Sequence, residues 1–555
     1  MAIVLFCGML HVLDMKVGRK MKRHLSIGVF LSVLVLVGVA MAEIPSLSPE
    51  RVAAIKGYLA RQTCELPKID GENYGVRSAI PSQVFYYGYT VAPFPKLKGF
   101  EALGNLPDQD ADATKSTFLS AGLEMGTLKS WGVEIVPQLK AAGFKRARLN
   151  FAWRLIEKQK GVYDFSALDA WVQALEAAGI EPWLYGGYGN AVYYGKFKPK
   201  SKLASSFWDA PVYHGEEAVS AWLNFFRALA THYKGRVHFY EIWNELDGRW
   251  YKFGEKAEDV LGVSQASRDF AQFYRRTVEV LREVDPTAKA GISLGNLDST
   301  WVTGLARTDF PEMLDVWTYH GYRRTVEEGV VQSLSRMKAL MRRKDGSLPE
   351  IVMGESGRGV GPTLSGRFNT RTEFGQAKFA ARRMFFDLAM GAKFCNLFDM
   401  GDARYGLFKT DDKKPRLAWY VIRALGSVFD GLEPAPDLGI VFSTRAPHSM
   451  ASQQDYTAIE RHAYRRKGIP LFAWWVPENL DIEAEPIFGL LKVYSGCDRT
   501  DNLKHPILID TVRRTVWDVG GAVGKRPGID VLHLAPATGY PYILTDLAIF
   551  DEYVK

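Results

Sequence analysis

Two glutamates stand at the ends of apolar segments, where a carboxylate could take part in acid–base or nucleophilic chemistry. Glu245 closes the segment YEIWNE, and Glu355 closes the segment EIVMGE. Short apolar segments of this kind are typical of buried strands in a parallel sheet. If both strands belong to one barrel, their carboxyl ends share a face and the two side chains can meet. Two carboxylates in one site can divide the roles of nucleophile and general acid/base.

Each of these motifs also has a purely structural interpretation. An Asn-Glu pair such as Asn244–Glu245 is common in helix caps and loop ion pairs, and Glu355 could be a solvated loop residue. The occurrence of both carboxylates at strand ends favours the catalytic interpretation, because one barrel face would hold them together.

A third carboxylate, Glu241, lies four residues before Glu245, so its side chain would point to the same face of the strand. It could compete for the acid role. It would lie about 13 Å deeper along the strand, at roughly 3.3 Å per residue. We therefore interpret it as a buried structural partner of Arg146 or Arg148.

Alternating strands and helices between about residues 80 and 420 would position these side chains. Amphipathic segments separate the strand candidates, and the pattern from Ser166 to Gly179 puts Leu168 and Trp171 on one helix face. Eight strand–helix repeats predict a closed, parallel (β/α)8 barrel rather than an open sheet. The strand candidates are 84–89, 146–150, 181–185, 238–243, 289–293, 314–320, 351–354 and 393–398. Further helices are predicted at 217–229, 271–284 and 374–390.

After about residue 430 the pattern changes to short β-like segments without long helical periods. These segments, at 471–476, 490–494, 506–510 and 531–534, predict an antiparallel β-sandwich. A helix is also predicted at 49–59. The expected class is α/β, a TIM barrel followed by a sandwich. The expected parts are a signal peptide at 1–42, a leader at 43–79, a barrel at 80–428 and a sandwich at 429–555.

The N-terminus has the pattern of a secretory signal. Residues 20–23 carry three basic side chains, 25–39 are mostly apolar, and 40–42 read AMA. We predict cleavage after Ala42, and thus a secreted or periplasmic protein without stable membrane insertion. The alternative is a retained anchor, since the apolar stretch is just under the spanning length of about 20 residues. Glu43 as the mature N-terminus would disfavour the anchor.

The composition of the 555-residue chain excludes several classes. It is 47% hydrophobic and 24% charged, which is ordinary for a globular protein. Residues 1–42 contain five basic residues and one acidic residue, so 8 − 4 = +4 remains for the body. The body has no basic run of the kind that binds nucleic acid. Beyond the signal, Cys64, Cys395 and Cys497 allow at most one disulfide and have no metal-ligand spacing. We expect no metal or organic cofactor.

Several motifs occur in the order found in one clan of enzymes. The segment 240–245 resembles the fourth strand of the retaining (β/α)8 glycosidases of clan GH-A, with glycoside hydrolase families 39 and 5 the most similar. The likeness covers about residues 80–545. Five further stretches also match this clan. Residues 147–153 resemble its second strand, 159–164 the turn after that strand, and 315–322 the sixth strand. Residues 405–420 resemble the stretch after the eighth strand, and 532–541 the end of an accompanying sandwich.

The resemblance implies roles for the residues that match its motifs. Glu245 would be the general acid/base and Glu355 the nucleophile of a double displacement. Asn244 would hold the sugar 2-hydroxyl, and Arg148 would lie beneath the nucleophile. Burial and a neighbouring carboxylate would keep a proton on the acid, and a nearby arginine would keep the nucleophile ionised.

Further residues would complete the sugar site. The resemblance implies that Tyr322 or Tyr319 donates a hydrogen bond to the nucleophile and that His320 lines the site. Two positions depart from the clan. Phe398 stands near the place of a usual tryptophan after the eighth strand, and Gly354 precedes the nucleophile where threonine is frequent. Neither departure removes a reacting group.

Aromatic residues interleaved with glycine follow the third strand candidate. Trp183, Tyr188 and Asn190 belong to this segment, and Trp250 extends the set. Exposed aromatic faces suit stacking on sugar rings. Core packing is the alternative for each aromatic residue. We expect the cluster to line the substrate site.

The leading hypothesis is a glycosidase that cleaves β-type bonds in an extracytoplasmic polysaccharide or glycoconjugate. The alternatives are a sugar-binding pseudoenzyme, a transglycosylase with the same residues, and a membrane-anchored interaction protein. The retention of both carboxylates disfavours the pseudoenzyme. The sugar, the linkage, endo or exo action and the oligomeric state stay open at this level.

Overall fold

The structure is a computed structural model. It describes residues 44–62, 97–114, 117–124, 127, 131–195, 208–361, 369–370, 372–444, 459–478, 480, 487–494 and 502–554. The predicted signal peptide and its cleavage site, like Cys64 and Cys497, lie outside these residues. Cys395 is a free, buried thiol.

Eight parallel strands close into a barrel in chain order, which confirms the predicted fold class. Seven of the strands lie at predicted positions. The first to eighth barrel strands are Leu119–Leu123, Arg146–Ala152, Glu181–Gly187, Phe239–Ile242, Lys289–Leu294, Val316–His320, Glu350–Ser356 and Cys395–Leu397.

The first barrel strand lies in a different place from the prediction. The chain uses Leu119–Leu123, whereas the predicted segment 84–89 lies outside the described residues. The sequence LSAGL has a serine and a glycine, which are weak strand formers. The barrel requires both: Trp183 Nε1 donates to Ser120 Oγ at 2.9 Å, and a Cβ on Gly122 would lie 2.7 Å from the Leu397 carbonyl oxygen.

Helices cover the outside of the barrel. In Ser166–Ala177, Asp164 Oδ1 accepts from the first helical N–H, and Gly179 follows the helix with a φ of +71°. Leu168, Trp171, Val172 and Leu175 are buried, as the periodicity predicted. The other α-helices are Pro49–Ala60, Val136–Ala141, Trp153–Ile156, Glu216–His232, Leu246–Arg249, Ala257–Leu261, Val263–Val284, Trp301–Ala306, Phe310–Met313, Val330–Leu340, Glu373–Ala389 and Leu417–Phe429. Short 3-10 helices are Gly132–Ile135, Ala191–Tyr193, Pro211–His214, Gly520–Ala522 and Leu547–Tyr553.

Two antiparallel sheets form the β-sandwich. In spatial order, the seven-stranded sheet contains Glu101–Asn105, Thr515–Asp518, Pro506–Asp510, Tyr542–Asp546, Ile469–Trp475, Glu460–Arg466 and Leu432–Pro434. The four-stranded sheet contains Gly439–Thr444, Ile487–Tyr494, Ile529–Ala537 and Val523–Arg526. Two small sheets pair Tyr251–Lys252 with Glu255–Lys256, and Gly359–Val360 with Asn369–Thr370.

The N-terminal part of the described chain belongs to the sandwich, which corrects the predicted barrel range of 80–428. Glu101–Asn105 pairs with Thr515–Asp518 at the edge of the seven-stranded sheet. The helix Pro49–Ala60 is tied to the same domain, since Lys56 Nζ donates to Asp518 Oδ2 at 2.6 Å. The sandwich therefore forms from both ends of the chain, with the barrel inserted between them.

One barrel helix lies between the barrel and the sandwich. In Glu373–Ala389 every residue from 373 to 388 is buried. Tyr464 of the sandwich donates from its hydroxyl to the Phe385 carbonyl at 2.6 Å. The two domains therefore share one apolar core. Within the described part of the chain, no helix has the length and apolar character needed to cross a bilayer.

Candidate active site

Glu245 leaves the fourth barrel strand through a left-handed turn. The strand ends at Ile242, and both Trp243 and Glu245 have positive φ angles, of 67° and 51°. Such angles cost energy in residues with side chains and persist where surrounding contacts hold them. Here Glu245 N donates to Ser293 Oγ at 3.1 Å. The turn brings the Glu245 carboxylate over the mouth of the barrel.

Glu355 reaches the same mouth because the seventh strand is irregular. Its register against the sixth strand shifts between Met353 and Glu355. A bulge of this kind re-aims a side chain that strict alternation would send outward. Gly354 belongs to the shift, since a Cβ there would lie 2.7 Å from Thr318 Cβ. The departure from threonine at this position thus has a steric cause.

The two carboxylates and one imidazole converge. One oxygen of Glu245, one oxygen of Glu355 and one ring nitrogen of His320 all lie within 4.8 Å of one another. His320 Nδ1 lies 2.9 Å from Glu245 Oε1 and 3.8 Å from Glu355 Oε2. This spacing permits one carboxylate to attack an atom while the other exchanges a proton beside it.

Arg148 links four acceptors beneath this cluster. Its Nη1 donates to Glu355 Oε2 and Glu124 Oε1, each at 2.8 Å. Its Nη2 donates to Glu241 Oε1 at 2.6 Å and to Asn244 Oδ1 at 2.9 Å. The arginine side chain is fully buried. It therefore acts both as the partner expected for Glu241 and as a donor to Glu355.

The charges around Arg148 determine its ionisation. Burial acts to lower the pKa of Arg148, but Glu241, Glu124 and Glu355 outweigh burial and raise it. The Tyr185 ring also lies 3.5 Å from the guanidinium carbon, which adds a cation–π contact. The guanidinium stays charged and can hold several carboxylates in fixed positions.

Tyr322 holds the second oxygen of Glu355. Its hydroxyl donates to Glu355 Oε1 at 2.9 Å. Burial, with the charge of Glu355, keeps the pKa of Tyr322 well above its ordinary value, so the hydroxyl remains a donor. Phe398 lies beside it, with ring centroids 6.3 Å apart, and Tyr405 flanks Phe398 at 5.5 Å. Phe398 therefore lies beside the tyrosine that contacts Glu355.

Glu245 has a different environment from Glu355. Arg249 Nε donates to Glu245 Oε2 at 2.6 Å, and His320 contacts the other oxygen. Burial acts to raise the pKa of Glu245, but His320 and Arg249 outweigh burial and hold it well below the ordinary value. Burial acts to lower the pKa of His320, and Glu355 and Glu245 together raise it. Both pKa directions thus favour an ionised Glu245 beside a protonated His320.

Asn244 and Tyr188 form the wall next to Glu245. Asn244 Oδ1 accepts from Ser293 Oγ at 3.1 Å as well as from Arg148, and its Nδ2 donates to the Tyr188 hydroxyl at 3.0 Å. The amide orientation is therefore determined by three contacts. Tyr188 packs edge-on against Trp243, and its hydroxyl lies beside Asn244.

Two predicted site residues lie away from the site, Tyr319 because side chains alternate along a strand and Trp183 because of its depth in the barrel. Tyr319 lies between Thr318 and His320 and points outward, where its hydroxyl donates to Asp387 Oδ1 at 2.8 Å. Trp183 points inward but lies in a small apolar cluster with Phe239, nearer the amino ends of the strands. Neither residue belongs to the mouth of the barrel.

Asn190 and Trp250 also have structural contacts in place of the predicted ones. Asn190 Nδ2 donates to the Glu157 carbonyl at 2.8 Å, and its Oδ1 caps the short helix Ala191–Tyr193. Trp250 is fully buried, and its Nε1 donates to the Tyr213 hydroxyl at 3.0 Å. Trp250 and Trp183 thus pack in the core, the alternative given for each aromatic residue, and Asn190 is a buried helix cap.

Sequence reasoning missed two charged residues of the site. Glu124 follows the first barrel strand, which was placed elsewhere, so no signal pointed to it. Arg249 lies four residues after Glu245, a spacing typical of helical ion pairs. That spacing could have identified it.

Both oxygens of each catalytic candidate already accept from protein donors. Glu245 accepts from His320 and Arg249, and Glu355 from Arg148 and Tyr322. A metal ion bound by Glu245, His320 and Glu355 would lie beside the guanidinium groups of Arg148 and Arg249, whose positive charges oppose a second cation. The donor set therefore suits proton transfer and nucleophilic attack better than metal ligation.

Comparison with known proteins supports the fold. No family model and no curated protein matches the sequence. A family 39 glycoside hydrolase from the gut symbiont Bacteroides cellulosilyticus WH2 is 16% identical over 77% of this chain and 80% of its own, with a TM-score of 0.55. This chain thus has the barrel architecture that the motif resemblance implied.

Two further solved structures have lower scores. A family 30 endoxylanase from Clostridium papyrosolvens C71 is 12% identical over 80% of this chain and 99% of its own, with a TM-score of 0.47. A family 39 β-xylosidase from Caulobacter crescentus is 14% identical over 79% of this chain and 97% of its own, with a TM-score of 0.43.

Proposed function

We propose that this protein is a retaining glycosidase in which Glu355 is the nucleophile and Glu245 the general acid/base. The observation that carries the proposal is the approach of one oxygen from each carboxylate to within 4.8 Å at the mouth of the barrel. Retaining glycosidases place their two carboxyl groups about 5–5.5 Å apart, whereas inverting enzymes leave about 6.5–9.5 Å for a water molecule.

The different surroundings of the two carboxylates support the division of roles. Glu355 accepts from Arg148 and Tyr322, which hold its carboxylate in position for attack on an anomeric carbon. In the first step, an oxygen of Glu355 bonds to that carbon as the glycosidic bond breaks. The departing oxygen takes a proton from Glu245. A water molecule reverses the step and returns a proton to Glu245.

His320 would supply the proton that Glu245 transfers. The lowered pKa of Glu245 and the raised pKa of His320 favour a resting site in which His320 carries the proton. A proton can pass from Nδ1 to Glu245 Oε1 across their 2.9 Å contact as the leaving oxygen develops charge. Arg249 would keep the Glu245 carboxylate in position throughout.

The substrate we propose is a β-linked polysaccharide or glycoconjugate outside the cytoplasm. The resemblance of the strand motifs to clan GH-A supports the bond type. The basic and apolar pattern of residues 20–42 supports export.

The proposal is tested by hydrolysis of aryl β-glycosides and of plant, bacterial and fungal polysaccharides. Glu245→Gln and Glu355→Gln should each lower kcat/KM on natural substrates about 10³-fold, equivalent to about 4 kcal/mol. Glu350→Gln is the matched control, because Glu350 begins the same strand and pairs with Lys289 at the other end of the barrel. Undiminished activity of Glu355→Gln would exclude it as the nucleophile.

A further inference from the structure

A tryptophan of the sandwich reaches the loop that holds the nucleophile. We propose that Trp475 is a positioning residue: it anchors the loop 321–329 through Glu327 and thereby keeps Tyr322 on Glu355. This inference rests on the proposed function, because it assigns the sandwich a part in the same site.

The start of the loop is bound directly to Glu355. Gly321 N donates to the Glu355 carbonyl at 2.8 Å, and the Tyr322 hydroxyl donates to the Glu355 carboxylate. The Gly321 carbonyl accepts from Ser356 Oγ at 3.0 Å. A displacement of the loop would therefore disturb hydrogen bonds to both the backbone and the side chain of Glu355.

The middle of the loop is held by one arginine. Arg358 Nη2 donates to the carbonyls of Arg323 and Arg324, at 2.8 and 3.1 Å. Arg358 comes three residues after Glu355 and is buried. The chain between Tyr322 and Glu327 therefore has little freedom to absorb a shift at its far end.

The far end of the loop is fixed by a buried carboxylate with two donors. Glu327 Oε1 accepts from Trp475 Nε1 at 2.8 Å and from Arg382 Nε at 2.9 Å, and its other oxygen accepts from Arg382 Nη2. Trp475 and Arg382 are fully buried. A carboxylate in this environment depends on each of its donors, since water does not replace them.

Besides the Trp475 indole, the sandwich contributes two backbone carbonyls that hold Arg382. Arg382 Nη1 donates to the Glu478 carbonyl at 2.8 Å and to the Gly539 carbonyl at 3.4 Å. Both carbonyls belong to the sandwich, and Arg382 belongs to the barrel helix Glu373–Ala389. Glu327 therefore lies where two segments of the sandwich, around residues 475–478 and at Gly539, meet the barrel. The anchor of the Tyr322 loop is thus an interdomain contact.

Trp475→Phe is the variant that tests this role, and Trp474→Phe is its matched control. Both tryptophans are fully buried on one strand. The Trp474 indole donates to the Pro536 carbonyl inside the sandwich at 2.7 Å, whereas the Trp475 indole donates to Glu327. Each substitution keeps an aromatic ring, removes one N–H and loses the same side-chain volume, so a general loss of stability would affect both.

We expect Trp475→Phe to lower kcat about tenfold while KM changes less than about twofold, since a small misplacement of catalytic groups mainly affects the chemical step. Trp474→Phe should retain the wild-type kcat and KM. Equal kinetics for the two variants would overturn the proposal.

Hydrogen–deuterium exchange of the full-length protein gives a readout that does not need a substrate. Amides of 321–329 should exchange faster in Trp475→Phe than in Trp474→Phe or the wild type. Unchanged exchange there would refute the anchor. If Trp475→Phe does not fold, Glu327→Gln is measured in its place with the same expectation. A wild type without glycosidase activity refutes the proposed function, whereas exchange alone still decides whether Trp475 anchors the loop.

Discussion

Glu245 and Glu355 differ in the charges that face them, and the difference follows from a few neighbouring residues. Glu355 contacts Arg148 and Tyr322, and Glu245 contacts His320 and Arg249. Glu355 therefore has two fixed donors, which hold its carboxylate in one orientation for attack. A carboxylate beside a protonated imidazole can receive a proton and pass it on.

His320 should matter most for substrates with poor leaving groups. His320→Gln removes the proton source of Glu245, so kcat/KM should fall about 10²-fold for alkyl glycosides and far less for dinitrophenyl glycosides, whose departing oxygen needs no protonation. The measurement is the dependence of rate on leaving-group acidity in both proteins. A uniform loss across all leaving groups would show that His320 has another role.

Glu124 should make stability depend on pH. Burial raises its pKa well above the ordinary value, Arg148 opposes this, and Glu355 and Asp399 add to it. The folded state binds this proton more tightly than the unfolded chain does. The contribution of Glu124 to the free energy of unfolding is therefore complete below about pH 4.5, and it is lost as the pH rises through the pKa of the folded state.

Glu124→Gln removes that dependence while keeping the shape of the side chain. The thermal midpoint of the variant minus that of the wild type should therefore be larger at pH 8 than at pH 5. Calorimetry at the two pH values measures the difference. If the difference in thermal midpoint between the two proteins does not change with pH, Glu124 does not titrate in this range.

At the scale of elements, the sequence predicted seven barrel strands because each combines apolar β-formers with a following helix. It missed the first strand, since Ser120 and Gly122 have low strand propensity and are present for contacts with Trp183 and Leu397. It also could not predict the bulge before Glu355 or the left-handed turn at Glu245. Both depend on tertiary contacts that local propensity does not encode.

Because tertiary contacts are not encoded locally, the sequence also could not separate the aromatic residues of the site from those of the core. Composition showed many aromatic side chains near the third strand, but it could not show which of them face the mouth. Tyr188 stands at the site, whereas Trp183 and Trp250 are core residues. Alternation along a strand and packing against helices decide between these positions, and both require the register of the folded sheet.

Gly354 should tolerate no side chain. A Cβ there meets Thr318, whose hydroxyl donates to Glu241 at 2.8 Å, so Gly354→Ala should destabilise the fold by about 1–3 kcal/mol. Gly57→Ala is the control, because Gly57 lies in the helix Pro49–Ala60 and its Cβ would only touch Arg61 at 3.4 Å. Alanine there should stabilise by about 0.5–1 kcal/mol. Denaturant unfolding compares the two, and equal midpoints would contradict the steric account.

At the scale of the whole molecule, the sandwich completes the barrel. The helix Glu373–Ala389 is buried on all sides, with Phe385 and Phe386 packing against Tyr464 and His462. The sequence indicated two domains but not this shared core. It also could not show that Glu101–Asn105 joins the sandwich, because pairing of distant segments leaves no local pattern.

This shared core should make unfolding cooperative across both domains. Calorimetry of the full-length protein should give one transition whose van't Hoff enthalpy approaches the calorimetric enthalpy. A protein ending at residue 430 should aggregate or lack a cooperative transition, because its exposed helix would carry uncovered apolar and charged side chains. Two separate transitions, or a stable isolated barrel, would contradict this view.

The most direct test of the central claim is to trap the covalent intermediate. A panel of 2-deoxy-2-fluoro β-glycosides with good leaving groups slows the second step of double displacement, so the sugar should remain on the enzyme. Intact mass should increase by one fluorosugar, and peptide mapping should locate it on Glu355, with no adduct in Glu355→Gln. A label on another residue, or a first hydrolysis product of inverted configuration, would contradict the assignment of Glu355 as the nucleophile.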